Sequence, residues 1–112
     1  MHKDGRLRAW LTLVQAPGVG PRLIARVVAQ FGDVETALSA DAPALAGVGI
    51  RGAALTALQR PDERALDALL AWGQQDGACI LHLDHPDYPS LLREIPDAPG
   101  VLYVRGDPGA LA

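Results

Sequence analysis

Ala16-Pro17-Gly18-Val19-Gly20-Pro21 decides how the first half of the chain is read, because it stands between two amphipathic patterns and is echoed as Leu45-Ala46-Gly47-Val48-Gly49. Glycine at both ends of a Gly-Xaa-Gly step admits positive φ and a sharp reversal, and Pro21 suits a first helical turn, where its missing N–H has no partner to lose. The expected product is a helix-hairpin-helix. Such a hairpin aims free backbone N–H groups and a helix N-terminus at one point, which is chemistry that suits a phosphate. Gly18, Val19 and Gly20, with Arg22 and Arg26 on the next helix, are therefore the candidate DNA-phosphate contacts. Gly47, Gly49 and Arg51 form a weaker second candidate, since no further arginine follows on that helix. The alternative for both is a turn that joins helices or a protein-contact surface, and Ile24 stands where a DNA-gripping hairpin usually has a small residue.

Working outward, Leu7, Trp10, Leu11 and Val14 fall at i, i+3, i+4 and i+7, one stripe of a 3.6-residue period, with Asp4 placed to cap that helix. Ile24, Val27, Val28 and Phe31 repeat the stripe after Pro21, and Gly32 fits a left-handed C-cap. Asp33 and Asp41 are placed as caps of two short helices. Ile50, Leu55 and Leu58 support another, weakened by Gly52. Pro61 opens the longest, with Asp62 and Glu63 at its positive end, Leu66, Leu69 and Leu70 on its core stripe and Gly77 as its stop.

After Gly77 the texture changes. Ala78-Cys79-Ile80-Leu81-His82-Leu83 and Val101-Leu102-Tyr103-Val104-Arg105 read as strands, the second ended by Gly106-Asp107, with a short helix from Ser90 to Ile95 between proline-rich loops. Strand, helix, strand is the start of an α/β layer. The expected fold is thus mainly α with a small α/β part. Residues 78–112 are expected to pack on the Pro61 to Gln75 helix through Ile80, Leu81, Leu102 and Val104.

The net charge of −3 is unevenly spread. Residues 1–60 hold seven basic against four acidic side chains, and residues 61–112 hold three against nine. The half that could attract a polyanion is the hairpin half, beside an acidic neighbour that would repel it. Cys79 is the single cysteine, which excludes an intrachain disulfide and fits a reducing cytoplasm. No export signal and no membrane span is read, because no apolar run approaches about 18 residues.

From Leu83 to Asp107 the sequence Leu-Asp-His-Pro-Asp-Tyr-Pro-Ser-Leu-Leu-Arg-Glu-Ile-Pro-Asp-Ala-Pro-Gly-Val-Leu-Tyr-Val-Arg-Gly-Asp resembles the bacterial DNA-processing protein A family (DprA, also called Smf). The resemblance rests on an aspartate, then Tyr88-Pro89, Leu91-Leu92, the Ile95-Xaa-Asp97-Xaa-Pro99 turn and Leu102-Tyr103-Xaa-Xaa-Gly106. The two Gly-Val-Gly steps and Phe31-Gly32 look like the helical, sterile-alpha-motif-like N-terminal domain of that family. The resemblance implies a helical domain over 1–77 and, over 78–112, the first strand, helix and strand of a truncated Rossmann-like domain. It further implies a partner in single-stranded DNA, bound mostly through residues absent from this chain, a RecA-type recombinase loaded during natural transformation, and a homodimer.

Other residues carry less. His82, Asp84, His85 and Asp87 are metal-type donors, but strand alternation separates them and no metal is expected. Cys79 lacks a basic neighbour and reads as a small buried hydrophobe. Tyr88 and Tyr103 could stack on bases, with packing the preferred reading. Trp10 and Trp72 belong to core or to an interdomain seam. No triad, no glycine-rich phosphate loop and no paired carboxylates point to catalysis, so no enzyme activity and no cofactor is expected. Two alternatives stay open: a protein-interaction or dimerisation module without DNA affinity, and a free-standing helix-hairpin-helix protein of DNA repair.

Overall fold

α1 (His2–Gln15) is the element on which the rest is assembled. The computed structural model describes residues 2–106, with side-chain environments from Gly5 onward. In the second half of α1, Ala9, Trp10, Leu11, Thr12 and Leu13 are all buried, as is Ala16 just beyond. Apolar contact therefore runs round the helix, which is the position of a central helix in a domain. The stripe expected from spacing is too narrow: Leu7 and Val14 are only partly buried, whereas Leu13, off that stripe, is fully enclosed. Thr12 fits this interior because its hydroxyl donates to the Arg8 carbonyl at 2.8 Å. The helix begins at His2, ahead of Asp4, so the expected cap position is wrong; the Asp4 side chain and Asp107 lie outside the described residues.

The surrounding helices are α2 (Pro21–Phe31), α3 (Val34–Leu38), α4 (Ala42–Gly47), α5 (Gly52–Gln59) and α6 (Glu63–Gly73). Ile24 and Val27 bury the inner face of α2, and Gly32 stops it at φ +90°, its N–H bonding the Val28 carbonyl at 2.8 Å. Asp33, Asp41 and Asp62 accept from the backbone N–H groups of Thr36, Ala44 and Ala65, satisfying donors that a helix start leaves open. The Thr36 N–H is the main reason that the Asp33 carboxyl is held below its ordinary pKa. Helix α6 ends at Gly73, short of the expected stop at Gly77, which instead takes φ +74° ahead of the first strand.

β1 (Ala78–His82) and β2 (Val101–Arg105) pair antiparallel, Ile80 opposite Tyr103 and His82 opposite Val101. The expected strand-helix-strand order is present, yet it is not a parallel crossover. The helix between the strands, α7 (Ser90–Arg93), is one turn long, whereas a crossover must carry the chain back along the whole sheet. Alternation then divides the hairpin. Ile80 and Val101 join the helical core, while Leu81 and Leu102, next along each strand, face the other way. Of the four side chains expected on the helices, Ile80 is therefore placed as expected, and Leu81, Leu102 and Val104 lie on the opposite face.

Two glycines let the hairpin close on the helices. A methyl group at Gly73 would stand 3.1 Å from Ile80 Cδ1. One at Gly100 would meet Val14 Cγ2 at 3.1 Å, Ile24 Cδ1 at 3.2 Å and Trp10 Cζ3 at 3.3 Å. Those three neighbours belong to the core or pack against it, so none can move cheaply. Gly100→Ala should lower the unfolding free energy by about 1–3 kcal/mol through overpacking; the check is a urea melt, with a reduced midpoint at unchanged slope expected.

Candidate functional site

The two Gly-Val-Gly steps share a sequence but not a backbone. In the first, Gly18 takes φ +78° while Gly20 is extended at φ −102° and leads into α2. Val19 is buried, and its N–H donates to the Ala16 carbonyl at 3.2 Å. One of the donors expected to face a phosphate is thus spent within the turn, and the side chain acts as a plug against the core. In the second, Gly47 still belongs to α4, and Gly49 takes φ +106°. The Gly49 N–H bonds the Ala46 carbonyl at 3.1 Å and the Ile50 N–H bonds the Leu45 carbonyl at 3.0 Å. This is a Schellman-type stop with Ile50 and Leu45 buried beside each other, so its N–H groups close a helix end. Of the positive φ that each Gly-Xaa-Gly step admits, the backbone uses one: Gly18 in the first step and Gly49 in the second.

The arginines disperse in the same way. Arg22 Nε lies 3.3 Å from Asp97 Oδ1, tying the start of α2 to the loop before β2. A methyl group at Gly49 would lie 3.7 Å from Arg26 Nη1 and 3.3 Å from Leu23 Cδ1, which sets Arg26 over the second turn instead of the first. Arg51 reaches back so that Nε donates to the Ala46 carbonyl at 3.3 Å. Elsewhere in the basic half, Arg6 pairs with Glu35 at 3.3 Å, and Arg8 is held between Asp67, at 3.0 Å, and Glu63. Hydrogen bonds to Asp67 and then Glu63 raise the Arg8 pKa above its ordinary value. Among the described residues Arg26, Arg51 and Arg60 have no carboxylate partner. Three of the six described arginines in residues 1–60, Arg6, Arg8 and Arg22, are thus answered by carboxylates, in part from the acidic second half.

The stretch from Leu83 to Gly106 converges more tightly. Tyr88 is 2% exposed, and its hydroxyl donates to the Pro99 carbonyl at 2.7 Å. Burial raises the Tyr88 pKa, opposed by the nearby Arg93 charge. Arg93 lies over the Tyr88 ring, 5.4 Å from its centre, and donates to the carbonyls of Leu83 at 3.0 Å and His85 at 2.9 Å. The Leu83 N–H bonds the Gly100 carbonyl at 2.9 Å. Pro89 precedes α7 as its N-cap, and Pro89, Leu92, Pro99 and Leu102 are half-buried. Gly106, at φ +112°, donates to the Gly77 carbonyl and closes the far end of the hairpin. Packing is thus the role of Tyr88. Tyr103 is different: 46% exposed, it meets Trp72 edge-on at 5.9 Å, and Arg105 lies 5.4 Å from the Trp72 ring centre.

Of the metal-type donors, His82 and His85 approach edge-on with 5.6 Å between ring centres, but each is engaged elsewhere. His82 stacks on Trp10 at 6.0 Å, and His85 Nδ1 accepts from the Asp87 N–H at 3.0 Å. Among the described residues no three such side chains form a group that could hold a metal. Burial, with a smaller push from Asp87, raises the Cys79 pKa, which disfavours a thiolate. A cavity of about 190 Å³ between α1 and the α5–α6 junction is lined in part by Thr12, Gln15 and Asp62. The Thr12 hydroxyl and one Asp62 oxygen are already engaged by Arg8 and Ala65. No helix among the described residues is long and apolar enough to cross a membrane.

The chain is 38% identical over 100 residues to Protein Smf of Synechocystis, an alignment that takes in 87% of this chain. The DprA/Smf resemblance is borne out. The chain spans 25% of the length of that Smf protein. No protein-family model and no solved structure matches it. Sequence reasoning missed two features: the bracing role of Arg93, whose signal is a lone cation beside a proline-broken loop with spare carbonyls, and the contact between Trp10 and His82, which no local pattern announces. Tyr88→Phe should cost about 1 kcal/mol by removing the bond to Pro99, measured as a lower urea midpoint, whereas an unchanged midpoint would show that the hydroxyl locks nothing.

Proposed function

We propose that the chain serves a DprA/Smf-type protein in DNA processing, without catalysis of its own. The observation that carries this reading is the 38% identity to Protein Smf across 87% of the chain. Single-stranded DNA binding, help to a RecA-type recombinase and homodimerisation belong to the activity proposed for such a protein as a whole. Within it, the sterile-alpha-motif-like helical part is read as an accessory contact module. Residues from Ala78 onward are read as opening a Rossmann-like part.

For the helical part, the geometry favours an architectural and protein-contact role over a grip on DNA. Arg22 answers Asp97, Val19 plugs the core with its N–H spent, and the second turn uses its donors to stop α4. Outside the helical part, in residues 78–106, exposed Leu91, Ile95 and Tyr103 offer apolar surface of the kind protein contacts use. A second reading, weak phosphate contact, rests on Arg26 and Arg51, which both lie at the second turn without a carboxylate among the described residues.

Anisotropy titrations against labelled single- and double-stranded DNA at low and moderate salt distinguish these readings. The expected result is at most weak binding, with Kd on the order of 10⁻⁴ M or above, that Arg22→Ala leaves unchanged. Weak binding lost in Arg26→Ala with Arg51→Ala would select the second reading. Micromolar, salt-sensitive binding abolished by Arg22→Ala would place the grip at the first turn and overturn both.

A further inference from the structure

Among the described residues, two side-chain polar atoms are shut away from water without a hydrogen-bond partner, Trp10 Nε1 and His82 Nδ1, and both belong to one contact. The imidazole lies parallel to the indole, with 6.0 Å between ring centres and 7° between planes. Trp10 is 0% and His82 8% exposed. The pair spans the seam between α1 and β1, close to where Gly100 presses on Trp10. Neither nitrogen contributes to the packing lock around Tyr88.

We propose that this contact is a proton-operated latch: neutral His82 holds the β1–β2 hairpin against α1, and protonation of its ring releases the hairpin from the helices. A neutral imidazole with its proton on Nε2 leaves one acceptor unanswered at Nδ1. The imidazolium converts that buried atom into a charged N–H with no acceptor, a far costlier state. The surroundings do little to offset it. Arg6 on α1 is itself a cation, and both it and His85, edge-on at 5.6 Å, oppose a positive charge on the His82 ring. Asp84 supplies the opposing charge from an exposed position. Among the described residues no charged group of α6 or β2 acts on the ring. Stacking on Trp10 returns part of the loss as a cation–π contact.

Burial first, then His85, with a contribution from Arg6, holds the His82 pKa below its ordinary value, against the pull of Asp84. The released ring regains a pKa near 6.5, so the released state binds more protons than the latched one. Release therefore grows as pH falls below about 6.5 and levels off once the latched ring titrates as well.

The test is amide hydrogen exchange on the intact chain between about pH 7.5 and pH 5.5, corrected for intrinsic exchange, together with an NMR titration of the His82 ring. The opening constant read at Leu81, Leu83 and Leu102, whose N–H groups point across the β1–β2 ladder, should rise by up to about tenfold across that range, while the Val28 amide in α2 does not follow. His82→Phe keeps an aromatic ring on Trp10 and should flatten the hairpin's pH dependence. Equal pH dependence in His82→Phe and the parent chain would overturn the latch. Should the variant not fold, the parent ring titration decides alone: a folded-state His82 pKa at or above 6.5 would overturn it.

Discussion

Gly100 occupies a point where three core side chains, Trp10, Val14 and Ile24, leave no room for a carbon beyond the backbone. That constraint fixes how the second half of the chain meets the first. With Gly100 seated, its carbonyl takes the Leu83 N–H, Val101 enters the helical core, and β2 is aligned to pair with β1. Gly73 plays the matching part on α6, where Ile80 rests on it. The hairpin is thus held by close backbone approach at two glycines, and its own two strands need that support, since a lone hairpin is marginal in water.

Charge reinforces the same seam. The basic first half and acidic second half meet through Arg8 with Glu63 and Asp67 and through Arg22 with Asp97. Each of these pairs is too exposed to contribute more than a small fraction of the stability. Their larger effect is on the outside field: two of the guanidiniums that compositional reasoning offers to a polyanion, Arg8 and Arg22, are met by carboxylates a few ångströms away. A positive surplus along a sequence is therefore a poor guide to a positive surface when the folded partner segment carries the opposite sign.

Local chemistry was legible where one residue settles one backbone problem. Asp33 and Asp41 cap the helices expected of them, Gly32 ends α2, and both strands lie within a residue of their expected spans. What was not legible depends on neighbours distant in sequence. α1 is enclosed on nearly all sides because α3, α5, α6 and β2 all reach it, which its own periodicity cannot state. The identical Gly-Val-Gly steps diverge because the first follows the central helix with Val19 in the core, while the second closes α4 with Ile50 on Leu45. The direction of strand pairing follows from a connecting helix only one turn long. At the candidate site, sequence placed Arg22 and Arg26 together, and the fold sends one to Asp97 and the other to Gly49. The family stretch was recognisable as a string of letters, but the reason for Tyr88, its bond across to Pro99, needed the folded loop.

The β1–β2 ladder has an outer rim on each strand where backbone N–H and C=O groups meet no strand among the described residues. Such rims are templates on which another copy of the chain can add, the usual first step toward ordered aggregates. Two features limit that growth here. Each strand is five residues long, so an added strand gains few hydrogen bonds, and Gly106 takes a positive φ that leaves the extended conformation directly after β2. The brevity of the hairpin thus works as protection against self-association at high concentration.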